Sequence, residues 1–367
     1  MLLEGLYIPL TTPFHPDGRL NPHKLAVNVL RYSKSPAAGL LALPPHAGEA
    51  ALLTDSETRA ALRTVAEAAA PEKVLLANIS RDSLIATREL AEYAAEHAYD
   101  AVLVGPPRVL APGQTRELLT FFRTLADRSP LPVILQSTAL PEQTLAWSTI
   151  LELARHPNIL GLSTDQRLLA EPPPGEAAAG GLAALLSDTA AIRRVVSVTS
   201  TFAAVTGRML RAAASVRGPQ QDLVSAATLA RNPAGAATAV APPSAPASPL
   251  RTRTKEVGFQ IVSSGAAHLL HALGRGASAI APAFAACAPQ TCYEVYAAWK
   301  DDDQPLAEEK QQRIVEPARL VEELGPGGLK FGCDVNGYFG GIPRLPFLPP
   351  DAAQRRELER RMAASRT

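Results

Sequence analysis

Eight short apolar runs separated by amphipathic helical stretches predict a closed parallel α/β barrel. The runs lie at residues 6–14, 39–46, 73–80, 100–107, 132–138, 158–165, 257–265 and 278–286. They read as near-continuous apolar segments, as strands covered on both faces do. The stretches between most of them carry helical spacing, which makes each unit a strand–helix repeat. Eight such units close a (β/α)8 barrel.

The helices have identifiable starts. Thr54 with Glu57 three residues on forms a capping box ahead of a run containing Leu62, Val65 and Ala69. Asp82 is the expected cap of the next helix, which runs to about His97. Pro112-Gly113 opens another, with Leu118, Phe121, Phe122 and Leu125 on one face. Pro141 or Glu142 starts a fourth, ending before His156-Pro157. After the last strand, residues 291–300, 304–323 and 351–364 read as helices. Pro326-Gly327-Gly328 and residues 340–350 read as the loops between them.

The organisation expected is therefore a barrel over residues 1–290 and a C-terminal helical region over 291–367. An insertion within the barrel spans 166–255, between the sixth and seventh strands. It contains Pro172-Pro173-Pro174 and the Pro/Ala/Ser run from Ala241 to Pro249. Two helices are expected in it, at 188–216 and 221–231. Three accounts of it stand: a lid or partner-binding insertion, a tolerated disordered excursion, or a gene-model artefact.

Composition bounds the function. The chain of 367 residues has 36 basic and 35 acidic residues and is 47% hydrophobic. A net charge of +1 gives no electrostatic case for nucleic acid or an anionic membrane surface. No apolar run reaches a bilayer-spanning length. The N-terminal stretch, with Glu4 and no basic residue, does not read as a signal peptide. A cytoplasmic protein is expected. Cys287, Cys292 and Cys333 read as buried apolar side chains.

Several motifs together resemble the dihydrodipicolinate synthase / N-acetylneuraminate lyase family. They are Thr12-Pro13-Phe14 with Asp17-Gly18; Ala47-Gly48-Glu49 followed by Leu53-Thr54 and Glu57; Ala101-Val102-Leu103-Val104 with Pro107; Leu131-Pro132-Val133-Ile134-Leu135; Pro157-Asn158-Ile159-Leu160-Gly161-Leu162; Gly276-Ala277; and Arg344-Leu345-Pro346. Their co-linear order covers nearly the whole chain outside the insertion. The resemblance implies a barrel, a homodimer or homotetramer, and chemistry through an iminium between a lysine and a 2-oxo acid. Only an amine forms that electron sink. The matching position is Ser163, and the family's proton-shuttling tyrosine corresponds to Gln136. Val109 stands where relatives place a tyrosine that reaches across a subunit interface. Pro45-His46-Ala47 replaces the Gly-Thr-Thr that grips the substrate carboxylate, and Pro45 lacks a backbone donor. None of the seven lysines falls at the C-terminal end of a strand. A C-terminal lysine reaching the mouth is the one exception left open.

Barrel sites form at the C-terminal strand ends. His46 and Asp165 are the candidate catalytic residues, through acid–base chemistry. The plainer alternatives are a partly exposed loop histidine and a helix-capping aspartate. Thr11, Thr12, Asn78, Gln136, Ser137, Ser163 and Ser263 are the candidate substrate-binding residues. No cofactor and no metal is expected: His268 and His271 lack a third ligand in sequence, and Asp301-Asp302-Asp303 reads as a solvated helix start. The glycine-rich run from Gly337 to Gly341 lacks the lysine of a phosphate loop, and is expected over the mouth or between helices. Three functions follow in order. The first is a lyase-type, C–C bond-forming or cyclising enzyme that acts without an imine on a small organic molecule at the mouth. The second is a catalytically silent homologue that binds a metabolite. The third is a conventional 2-oxo-acid aldolase or synthase.

Overall fold

The computed structural model describes residues 2–45, 47–111, 113–137, 144–165, 194–199, 206, 208–209 and 252–365. Eight parallel strands close into a barrel: β1 (Gly5–Pro9), β2 (Gly39–Ala42), β3 (Val74–Asn78), β4 (Ala101–Val104), β5 (Val133–Ser137), β6 (Ile159–Thr164), β9 (Gln260–Ser263) and β10 (Ala279–Ile280). The order around the barrel is β1-β10-β9-β6-β5-β4-β3-β2. Each expected strand is present and shorter than its apolar run, because the run also supplies the loop that turns over the mouth. Both faces of the strands are buried, which explains their unbroken apolar character. Tyr7, Leu41, Leu76, Leu103, Ile134 and Val262 fill the interior. At Gly161 a Cβ would stand 2.2 Å from the Gln260 carbonyl oxygen, so only glycine lets β6 and β9 approach.

The helices on the outside are α1 (Pro22–Ser33), α2 (Asp55–Ala68), α3 (Leu84–Glu96), α4 (Thr115–Arg128), α5 (Trp147–Leu153) and α6 (Leu269–Gly274). The capping box of Thr54 and Glu57 opens α2 as expected. Ser83, not Asp82, caps α3, because the Asp82 carboxylate instead accepts from the Arg108 N–H. Pro112, Pro141 and Glu142 lie outside the described residues.

The insertion differs from expectation where it is described. Residues 194–199 form a strand, β7 (Arg194–Thr199), not part of a helix. Its Val195, Val196, Val198 and Thr199 are β-branched, and it pairs antiparallel with β8 (Thr252–Val257). The expected helix at 221–231 lies outside the described residues. Thr206 donates to the Pro71 carbonyl oxygen. The Arg208 guanidinium donates to the carbonyl oxygens of Ala66, Ala69, Ala70 and Lys73, at 2.7–3.3 Å. The carbonyls at the end of α2 thereby gain donors from a remote part of the chain.

The C-terminal region comprises α7 (Pro289–Lys300), α8 (Gln304–Glu323), α9 (Gly325–Val335) and α10 (Ala352–Ala364). The first turn of α9 is the Pro-Gly-Gly stretch expected to be a loop. Proline fits an N-terminal turn, and the glycines serve close packing rather than a bend: a Cβ on Gly327 would lie 2.2 Å from the Leu348 carbonyl oxygen. The Gly337–Gly341 run packs on α1, where Tyr338 stacks on Tyr32 and Phe339 exchanges backbone hydrogen bonds with the Asn28 side chain. No helix among the described residues is long and apolar enough to cross a membrane. The three cysteines are free and buried.

Candidate active site

A cavity of about 400 Å³ opens at the C-terminal ends of the strands. Its floor is apolar, with Pro9, Leu41, Leu103 and Ala281. Strand register sets Gln136 directly beside Ser163, and Ser163 in turn beside Val262 of the interior. Gln136 is 8% exposed and Ser163 5%, and both side chains line the cavity. Neither side chain hydrogen-bonds to a described residue. Such groups are costly to bury unless a ligand or water completes them.

Asp165, just past β6, lines the same wall. Glu322, near the end of α8, also lines the cavity. The protein packed around its carboxyl and the charge of Asp165 raise its affinity for a proton above the ordinary 4.5. The Ala266 N–H, which donates to it, opposes that shift in part. No Lys, Arg or His among the described residues lines the cavity.

Other expected residues fall elsewhere. Ser137 lines the cavity, but its hydroxyl oxygen already accepts from the Leu145 N–H at 2.9 Å. Asn78 belongs to an adjoining chamber of about 520 Å³ that shares Gln136, and its side chain holds the Leu43 carbonyl and the Ser80 hydroxyl. Thr11, Thr12 and Ser263 do not line the cavity. Thr11 is buried, with the Cys333 thiol beside it. Thr12 donates to the Gly48 carbonyl oxygen at 2.6 Å. Ser263 is fully buried, one residue from the inward-facing Val262. His46 lies outside the described residues, although its neighbours Pro45 and Ala47 line the cavity.

Lys330, on α9, is fully buried and forms an ion pair with Glu49. Its ammonium also lies 3.2 Å from the Ile342 carbonyl oxygen and 4.3 Å from the Phe14 ring centre. Burial lowers its proton affinity, and Glu49 opposes that. Lys330 is thus committed to the joint between the C-terminal helices and the loop after β2; its neighbour Leu329, not Lys330, faces the cavity. Arg344 completes that joint. It pairs with both oxygens of Glu57 at 2.6 and 2.8 Å, and donates to the carbonyl oxygens of Gly18 and Leu52.

A sequence profile of the dihydrodipicolinate synthetase family matches residues 2–169. The match runs from β1 to β6, and over that part the chain is similar to this family. An L-threo-3-deoxy-hexylosonate aldolase from Aspergillus niger is 24% identical over 96% of this chain and 92% of its own length. An N-acetylneuraminate lyase from Rhizobium meliloti is 31% identical, over 44% of this chain and 54% of its own. Among solved structures, the family's prophage protein YagE from E. coli K12, solved in complex with pyruvate, matches with a TM-score of 0.71. That match has 19% identity and covers 100% of this chain and 99% of the other. A dihydrodipicolinate synthase from Bacteroides thetaiotaomicron matches with a TM-score of 0.68, at 17% identity and 98% of each chain. At such identities the structural likeness speaks for the fold. The two residues matched by resemblance to the family's lysine and tyrosine are Ser163 and Gln136, neighbours across β5 and β6. Glu322 and Lys330 escaped the sequence reading, since each lies more than 150 residues from the strand end or loop that it meets.

Proposed function

We propose that this chain is a small-molecule enzyme of lyase type that works without an iminium, in a C–C bond-forming, cyclising or eliminating step. One observation carries the reading. Ser163 and Gln136, which by motif resemblance stand where relatives carry the imine-forming lysine and its tyrosine, lie side by side, buried and lining the cavity. A hydroxyl and a carboxamide hold a substrate by hydrogen bonds and form no imine. A floor of apolar side chains with a few convergent polar groups suits a small organic molecule.

The test pairs two measurements. Full-length protein is treated with pyruvate and sodium borohydride and weighed intact; no added mass is expected, and a pyruvate adduct on any lysine would restore imine chemistry. A metabolite panel is then screened for ligands that raise the melting temperature. Such ligands should lose most of their effect in Ser163→Ala and Gln136→Leu. Indifference to both changes would place the ligand elsewhere and refute the reading. The role expected for His46 is tested with the same ligands by His46→Ala. The reading also carries a cytoplasmic location, tested by cell fractionation, and a homodimer or homotetramer, tested by light scattering of the purified protein. Val109, where relatives place the interface tyrosine, is 71% exposed on this chain.

A further inference from the structure

We propose that Asp165 and Glu322 form an acid–base pair that eliminates water from, or adds it to, a small β-hydroxy ketone or aldehyde whose carbonyl oxygen is held by Ser163 and Gln136. This rests on reading the mouth as a site that works without an imine.

Removing a proton from carbon beside a carbonyl puts negative charge on the oxygen. An iminium absorbs that charge by neutralisation; without it, the charge needs preorganised donors. Ser163 and Gln136 supply an O–H and an N–H from adjacent strands. Both side chains are more than nine-tenths buried, line the cavity and have no side-chain hydrogen bond to a described residue. Asp165 lies two residues beyond Ser163 on the same wall, and Glu322 faces the cavity from α8. Both carboxyls line one cavity, and burial and the charge of Asp165 keep the proton on Glu322 to higher pH than usual, which suits Glu322 to donate. The substrate is uncharged beside its carbonyl. No described cation lines the cavity, and Pro45 removes a backbone donor from the loop that would hold a carboxylate.

The step balances. The Asp165 carboxylate takes the α-proton, and the electron pair moves onto the carbonyl oxygen held by Ser163 and Gln136. As that pair returns, the C=C bond forms and the β-carbon–oxygen bond breaks. Glu322 protonates the departing hydroxyl, which leaves as water. One proton then passes from Asp165 to Glu322 through solvent in the open mouth. No oxidant or further reactant enters.

The probe is 4-hydroxybutan-2-one with the full-length protein. Enone formation is followed by absorbance, and deuterium uptake at the α-carbon in D2O by NMR. The wild type should do both. Glu322→Gln should lose elimination by about 10²-fold or more while keeping exchange, and Asp165→Asn should lose both. Ser163→Ala should slow both by roughly 10²-fold. Elimination at wild-type rate in Glu322→Gln overturns the assignment, as does a wild type that neither exchanges nor eliminates. Carbon-13 titration of the Glu322 carboxyl is independent of turnover: it should titrate above 4.5 and move down in Asp165→Asn, and an ordinary value in the wild type also overturns the pairing. A borohydride adduct would instead strike the parent reading, so the two failures are distinguishable.

Discussion

Replacing Lys330 with methionine leaves Glu49 as a lone carboxylate in the interior. The two side chains are 1% and 0% exposed, so neither charge is relieved by water. Burial is the largest influence on the Lys330 ammonium and acts against its charge. Removing one partner of such a pair costs about 3–5 kcal/mol, because the remaining charge keeps its desolvation penalty. A melting entropy of about 2.1 cal/mol/K per residue over roughly 300 residues gives ~0.6 kcal/mol/K, so the midpoint should fall by roughly 5–8 °C. The double variant Lys330→Met/Glu49→Gln removes both charges and keeps an acceptor for the Arg344 N–H, now 2.7 Å from Glu49. It should return to within about 1 kcal/mol of the wild type. The folded ammonium titrates below the unfolded value of 10.5, so the unfolded chain binds more protons in the window beneath 10.5. Wild-type stability should therefore rise with pH there, and the double variant should lose that rise. Urea and thermal unfolding of the wild type, the single variant and the double variant by circular dichroism is the assay. A cost below about 1 kcal/mol for Lys330→Met, or a double variant no better than the single, would refute the argument.

Arg344 pulls the Glu57 carboxyl from 4.5 to about 2, so its contribution is complete above pH 4.5 and is lost as pH falls toward 2. Arg344→Met should cost about 2–3 kcal/mol at neutral pH and flatten the acid limb of a stability–pH curve, as read by urea titrations from pH 7 to 3. Arg208→Ala removes four hydrogen bonds to carbonyls at and just beyond the end of α2 and should lower stability by about 1–3 kcal/mol in urea melts. An unchanged midpoint would mean the insertion does not seat there. Burial raises the proton affinity of all three thiols. Ellman's reagent should therefore label them only slowly in the folded protein and fully in denaturant; rapid labelling of the native protein would contradict their burial.

Much of this architecture was legible from residue order. The strands announced themselves because a parallel barrel buries both faces, which leaves runs such as Gly39–Ala42 and Ala101–Val104 wholly apolar. Thr54 and Glu57 declared a helix start through purely local bonding. Ser163 and Gln136 were found by motif position, and only the pairing of β5 with β6 makes them neighbours. What escaped was non-local. Glu322 looks like one more acid at a solvated helix end, and nothing nearby in sequence says that it meets Asp165. Lys330 follows Gly325-Pro326-Gly327-Gly328, whose turn chemistry masked a helix that needs glycine for close contact. The strand character of Arg194–Thr199 is hidden in the sequence because its partner strand lies some fifty residues on.

The hairpin of β7 and β8 bears on how the barrel closes. Thr164 of β6 must find Ser263 of β9 across about a hundred residues of unfolded chain, the longest span between adjacent staves in sequence order. If Arg194 meets Val257 first, the contour left to draw in shrinks to roughly a third, which trims the loop-closure entropy by about 1 kcal/mol. The small sheet thereby acts as a clasp in assembly: it lets a barrel split by so long an excursion reunite its seventh stave with its sixth as though the excursion were short.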